Sequence, residues 1–122
     1  MSGWVHTEKL SDELPVAVNP TPTTLWSGSV LAAERVSGFV ENTDGAQTLA
    51  VTAEASWDGA TKWVGLDAIN GTQFASALVA GERRLFIVDV TDLRFIRLRG
   101  AASGAGLNAI VSVQRTSILP VR

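Results

Sequence analysis

TLAVTAEASWDGATKWVGL, Thr48 to Leu66, decides the fold. Up to Trp57, apolar and polar side chains alternate. Leu49, Val51, Ala53, Ala55 and Trp57 share one face, and Thr48, Ala50, Thr52, Glu54 and Ser56 the other. A period of two is that of a strand with one buried side. Asp58 and Gly59 then supply the short acceptor and the glycine that a tight turn requires, and Trp63 opens the next apolar run. Two tryptophans beside one turn suit either the lip of a sugar site or the corner of a sandwich. A contact with a neighbouring subunit is a third reading. The alternation favours the corner: Trp57 is in phase with Leu49 and Val51, which predicts burial at the strand's end. Asp58 and Gly59 are then turn-makers.

Working outward, the same pattern recurs. Asp44-Gly45 in ENTDGAQ reads as a hairpin turn, as does Asn70-Gly71. TQFASALVA sets Phe74, Ser76 and Leu78 against Ala75, Ala77 and Val79, and Gly81 in LVAGERRLF favours a hairpin over a helix. RRLFIVDV and RFIRLRG are strongly β-prone and joined by the short TDL. LNAIVSVQRTSIL puts Leu107, Ala109, Val111 and Val113 on one face, and SGSVLAAERVSGFVE supplies one or two strands with Val36 and Phe39 inward. About seven or eight strands separated by turn signals predict an all-β antiparallel sandwich.

Residues 1–24 read differently. SDELPVAVNPTPTT holds three of the four prolines, which favours an extended path. Ser11 could cap one helical turn, but Pro15 stops it. The expectation is an extended N-terminal arm over 1–24, lying on its own domain or on a neighbour, with the sandwich over 25–122. Trp4, Val5, Leu14, Val16 and Val18 are its candidate partner contacts.

At 122 residues with no cysteine, the chain suits one domain whose core needs no disulfide or metal staple. MSGWVHTEKLSDELP carries charges where a signal peptide needs an apolar centre, so export is not expected. No apolar run approaches the roughly 20 residues of a membrane helix. The net charge of −2 gives no nucleic-acid signal, so neither membrane nor nucleic acid is an expected partner. Charge is uneven along the chain: three basic and nine acidic residues over 1–80, seven basic and three acidic over 81–122. Solvated charge explains this, and so would acidic-to-basic contact between copies.

Catalytic equipment is sparse, and neither an enzyme nor a cofactor is expected. The single histidine, His6, sits in the arm, and with no cysteine the common zinc sets fail. Asp58, Asp67, Asp89 and Asp92 are scattered near strand ends, where a carboxylate pair is conceivable on paper, and Asp44, Asp58 and Asp92 read better as short acceptors that bond turn backbone. Calcium is conceivable there, without the DxDxDG spacing. The sequon Asn70-Gly71-Thr72 is explained by its turn. Arg97 and Arg99 share a face with Phe95, opposite Ile96 and Leu98, and Arg83 and Arg84 lie one hairpin away as possible neighbours. Arginines beside an aromatic suit protein contact through stacking and carboxylate pairing.

ASWDGATKWVGL followed by LRFIRLRG resembles the SxDGxxW…RYIRL signature of discoidin-type, galactose-binding-like sandwiches. The resemblance implies a core position for Trp63 and a penultimate strand at Phe95–Leu98. WSGSVLAAERVSGFVE, ASWDGATKW and FIRLRGAASGAG, in that order, resemble small cysteine-free β-domains of tailed-phage structural proteins. Together they imply an antiparallel sandwich, jelly-roll or galactose-binding-like in outline, serving as a non-enzymatic virion component. The expected form is a capsid decoration or cement protein, assembled in the host cytoplasm as a homo-oligomer such as a trimer. It would bind the major capsid protein or other virion proteins through the arm and the face of Arg83, Arg84, Arg97 and Arg99. The alternatives are a carbohydrate-binding module taking glycans on Trp26 or Trp57, and a tail or baseplate adaptor.

Overall fold

The computed structural model describes residues 3–66 and 76–120. Among them ten strands occur: β1 (Gly3–Lys9), β2 (Val16–Val18), β3 (Thr23–Ser29), β4 (Arg35–Asn42), β5 (Leu49–Ser56), β6 (Val64–Gly65), β7 (Ser76–Leu78), β8 (Arg83–Asp89), β9 (Phe95–Ala102) and β10 (Leu107–Pro120). The first sheet runs β1-β10-β4-β8, with β2 also on β10. The second runs β3-β9-β5-β6, with β7 also on β5. Leaving out β1 and β6, the layers are β2-β10-β4-β8 and β3-β9-β5-β7, the strand order of a jelly roll.

Period-two patterning builds the interior. Leu49, Val51, Ala53 and Ala55 of β5 are buried in one core with Leu107, Ala109, Val111 and Val113 of β10 and with Val36, Val40, Phe86, Val88, Ile96 and Leu98. Phe39, expected inward beside Val36, faces outward. An odd separation along a strand reverses the side-chain direction, and Val36, Val40 and Asn42 hold the buried phase. Gly38 is required by backbone approach: a Cβ there would lie 1.8 Å from the Ser112 carbonyl oxygen on β10.

Three expected hairpins are crossings between the layers. ENTDGAQ joins β4 to β5, VAGE joins β7 to β8, and TDL helps join β8 to β9, each passing from one sheet to the other. Turn residues set a local reversal, while the buried face decides which sheet receives the next strand. β5 and β6 do fold back on each other, Glu54 opposite Gly65 and Ala55 opposite Val64. Asn70-Gly71-Thr72, Asp67 and Phe74 lie outside the described residues.

The N-terminal segment runs along its own β10. β1 registers from Gly3 opposite Pro120 to Lys9 opposite Gln114, and β2 pairs from Val16 opposite Ala109 to Val18 opposite Leu107. Between them Ser11 replaces the missing rung, its hydroxyl accepting the Val113 N–H at 2.8 Å and donating to the Val111 carbonyl at 3.1 Å. The uneven charge resolves inside the fold, because late strands lie beside early ones. Arg83 pairs with Glu41, Arg97 with Glu54, and Arg115 approaches Glu8 at 3.8 Å.

Candidate interaction surfaces

The opening corner departs from its expected geometry. β5 ends at Ser56, which is buried, and the chain then leaves strand phase, so Trp57 is 67% exposed rather than buried. The cause is polar. The Ser56 hydroxyl lies 2.6 Å from the Thr61 carbonyl and 2.9 Å from Asp58 Oδ1, and accepts the Gly59 N–H at 3.2 Å. Asp58 accepts the N–H of Ala60 and of Thr61 and the Thr61 hydroxyl at 2.6 Å. The Thr61 hydroxyl, the backbone donors and Ser56 hold the Asp58 carboxyl far below its ordinary 3.8. Gly59 adopts φ +74°, and a Cβ there would meet the Phe95 ring at 2.9 Å. Trp63, given a core position by the discoidin resemblance, stands outside the buried cluster. It is half-buried beneath the Arg97 guanidinium, 4.3 Å from its ring centroid.

Trp57 borders a hollow of about 430 Å³ at one end of the sandwich, lined also by Leu31, Glu34, Thr91, Asp92 and Arg94. Arg94 sits 5.4 Å from the Trp57 ring centroid. The two turns that frame it match: Ala33 N–H bonds the Val30 carbonyl and Leu93 N–H the Val90 carbonyl, both at 3.0 Å. Their third residues, Ala32 and Asp92, hold φ of +64° and +67°. Trp26, the other expected ligand aromatic, is half-buried over Gly28 and donates its indole N–H to the Leu10 carbonyl at 3.4 Å. It ties the N-terminal segment to β3 and presents no platform.

The four arginines do not form one face. β8 lies in the first sheet and β9 in the second, so outward Arg83 is across the sandwich from outward Arg97 and Arg99, while Arg84 follows the inward phase of Phe86 and Val88. Each has an internal acceptor. Arg83 Nη2 meets Glu41 at 2.6 Å and covers the Phe39 ring, and Arg84 Nε donates to Glu82 at 3.1 Å. Arg97 donates to Glu54 at 2.7 Å, and Arg99 to the Pro22 carbonyl at 2.9 Å. Among the arm residues, Val18 is 1% exposed and belongs to the core, and Val16 packs against it. Val5 and Leu14 are open to solvent, and the Trp4 side chain lies outside the described residues. Among the described residues no three His, Asp or Glu side chains come together as a metal site.

Sequence reading missed two exposed apolar side chains, Leu85 at 77% and Ile87 at 69%, on edge strand β8. Their signal was available in RRLFIVD: Leu85 and Ile87 alternate with buried Phe86 and Val88, an apolar run bounded by charges. Such a run is the usual mark of a strand covered on both faces.

No protein-family model matches the sequence, and no curated protein matches it either. A chain of the disulfide-linked pili of Bacillus endospore appendages is similar in structure, with a TM-score of 0.63 at 11% identity, over 98% of this chain and 93% of that one. A chain of the T13 particle of infectious bursal disease virus gives a TM-score of 0.55 at 17% identity, over 97% of this chain and 32% of that one. The VP2 subviral particle of the same virus gives 0.55 at 17%, over 94% and 32%. This chain thus spans about a third of the viral chains. It shares a fold with proteins of viral particles and of a pilus. It has no cysteine, so the disulfide linkage of the pili has no counterpart in it.

Proposed function

We propose that the chain is a non-enzymatic structural subunit of a virion, in its most specific form a decoration or cement protein seated on a phage head. The observation that carries this reading is β1. The strand is held to β10 over seven paired residues, yet Val5 through Lys9 are exposed on both faces. A stretch such as Val5–Lys9, with no side chain in the core, is ladder without packing, and covering it with a neighbour adds burial the lone domain lacks. Leu14, also exposed, extends that surface along the same edge. The likeness to particle and pilus chains supports an assembling role. The experiment is to purify the particle and quantify the chain. A fixed stoichiometric ratio to the shell subunit is expected, with density at capsomer seams by electron microscopy. Absence from purified particles would refute the reading, and density on the tail would make it an adaptor.

A second reading is favoured by the Trp57 hollow. An exposed indole beside Arg94, with Glu34, Asp92 and Thr91 around it, has the stacking face and the polar rim that a glycan uses. Binding on a glycan array that disappears with Trp57→Ala, the circular dichroism spectrum being unchanged, would support a carbohydrate-binding module. An array without signal removes it.

A further inference from the structure

β8 is the outer strand of the first sheet, and its sequence is RRLFIVD, Arg83 to Asp89. The ladder to β4 is anchored at both ends, by Asn42 N–H to the Glu82 carbonyl at 2.8 Å and by Val90 N–H to the Glu34 carbonyl at 3.1 Å. Bonded rungs alternate in an antiparallel pair. Arg84, Phe86 and Val88 therefore turn their main-chain groups toward β4, and Arg83, Leu85, Ile87 and Asp89 turn theirs out of the sheet. The same four carry the outward side chains, Leu85 and Ile87 being the exposed apolar ones.

Natural edges are usually blunted by bulges, prolines or lysines. β8 has no bulge, proline or lysine, carries its charges only at its ends, Arg83, Arg84 and Asp89, and keeps an unbroken register with β4. The other edges differ: β3 is irregular between Thr24 and Trp26, and β1 carries His6, Glu8 and Lys9.

We infer that β8 is an interface to a second copy of this chain, the two β8 strands pairing antiparallel about a two-fold axis at Phe86. The register follows from the residues. Outward-facing rungs must meet outward-facing rungs, and centring on Phe86 sets Arg83 opposite Asp89 of the other copy and Leu85 opposite its Ile87. Both contacts occur twice, as an isologous interface requires. A slip of two residues in either direction sets Arg83 opposite Ile87, or Asp89 opposite Leu85, and loses the charge pairing. The Thr91 N–H, 2.9 Å from Asp89, keeps that carboxylate ionised. Phe39 lies beside Leu85 on β4, so the apolar strip runs unbroken across the axis. One seven-residue strand edge is a small contact beside the about 1,200–2,000 Å² typical of stable interfaces, so the dimer is expected to dissociate on dilution. This inference goes beyond the shell-subunit reading and does not need it.

The test is sedimentation over a concentration series, with residue-resolved hydrogen exchange on the full chain. A monomer–dimer equilibrium is expected. Amides of Leu85 and Ile87 should exchange about tenfold or more slowly in the concentrated sample, with Phe86 and Val88 equally protected in both. Leu85→Lys places a charge on an exposed side chain, and Ile87→Pro removes an N–H that β4 does not use. Each should keep the circular dichroism spectrum and weaken association about tenfold or more. A chain monomeric up to about 1 mM, well above ordinary protein affinities, overturns the inference. So does association indifferent to both substitutions, or open-ended polymer, in which β8 meets a different edge. A monomer that still seats on particles would sink this inference and leave the shell-subunit reading standing.

Discussion

Four donors converge on Asp58, and the glycine beside it sits where only glycine fits. Gly59→Ala adds backbone strain at φ +74° and pushes a methyl into the Phe95 ring, so a loss of about 1–3 kcal/mol is expected by chemical denaturation. Because the folded-state pKa of Asp58 is depressed below 3.8, the unfolded chain takes up its proton first as the pH falls. Stability from this carboxylate is full above about pH 5 and is lost progressively below it. Asp44, Asp89 and Glu82, also lowered by backbone or side-chain donors, act in the same direction. Thermal midpoints should fall from about pH 5 to pH 2, and Asp58→Asn should flatten that fall. Asn42 is buried at the end of β4. Its amide donates to the Gln47 carbonyl at 2.8 Å and lies within 3.3 Å of the Leu78 and Val79 carbonyls, while its Oδ1 accepts the Asp44 N–H. Asn42→Ala takes the amide donor from those carbonyls, of which the Val79 carbonyl keeps the Glu82 N–H, and should cost about 1–3 kcal/mol. The turn role of Asp58 and Gly59 was legible, since side-chain acceptors and positive φ are local properties. The burial of Asn42 was not, because the Leu78 and Val79 carbonyls beside its amide lie more than thirty positions away.

At the scale of elements, β1 and β2 divide one segment into two kinds of strand. β2 delivers Val18 to the core, whereas β1 delivers nothing to it from Val5 through Lys9. Deleting residues 1–9 should leave the near-ultraviolet and far-ultraviolet circular dichroism close to native while removing assembly onto the particle. Full occupancy by the truncated chain would show that β1 is dispensable to assembly. Deleting through residue 20 takes Val18 as well and should unfold the domain, so only the shorter truncation separates folding from assembly. Strand alternation was readable in β5, β9 and β10, each with one apolar face. It failed in β8, apolar on both faces, and at Trp57, where Ser56 and Asp58 end the strand one residue early.

At the scale of the molecule, the strands that pair are far apart in sequence: β1 and β2 with β10, β3 and β5 with β9, β4 with β8. Loop closure must precede those contacts, so refolding followed by tryptophan fluorescence is expected in about the millisecond-to-second range. Microsecond folding would contradict this topology. The sequence by itself determined that the chain is an antiparallel sandwich and that β5, β9 and β10 each turn one apolar face inward, because a period of two and a turn residue are written in neighbouring positions. Only the tertiary structure decided that turns at Asp44 and Gly81 cross between sheets, that the arginines divide between two faces, that Trp63 lies under Arg97, and that β8 offers Leu85 and Ile87 to solvent. The physical reason is the same in each case. A reversal of the chain costs the same whether the next strand pairs beside its predecessor or opposite it, and burial summed over the whole core makes the choice. At the corner, by contrast, local chemistry specifies the turn, and its bonds to Ser56 and Asp58 end β5 early and leave Trp57 exposed.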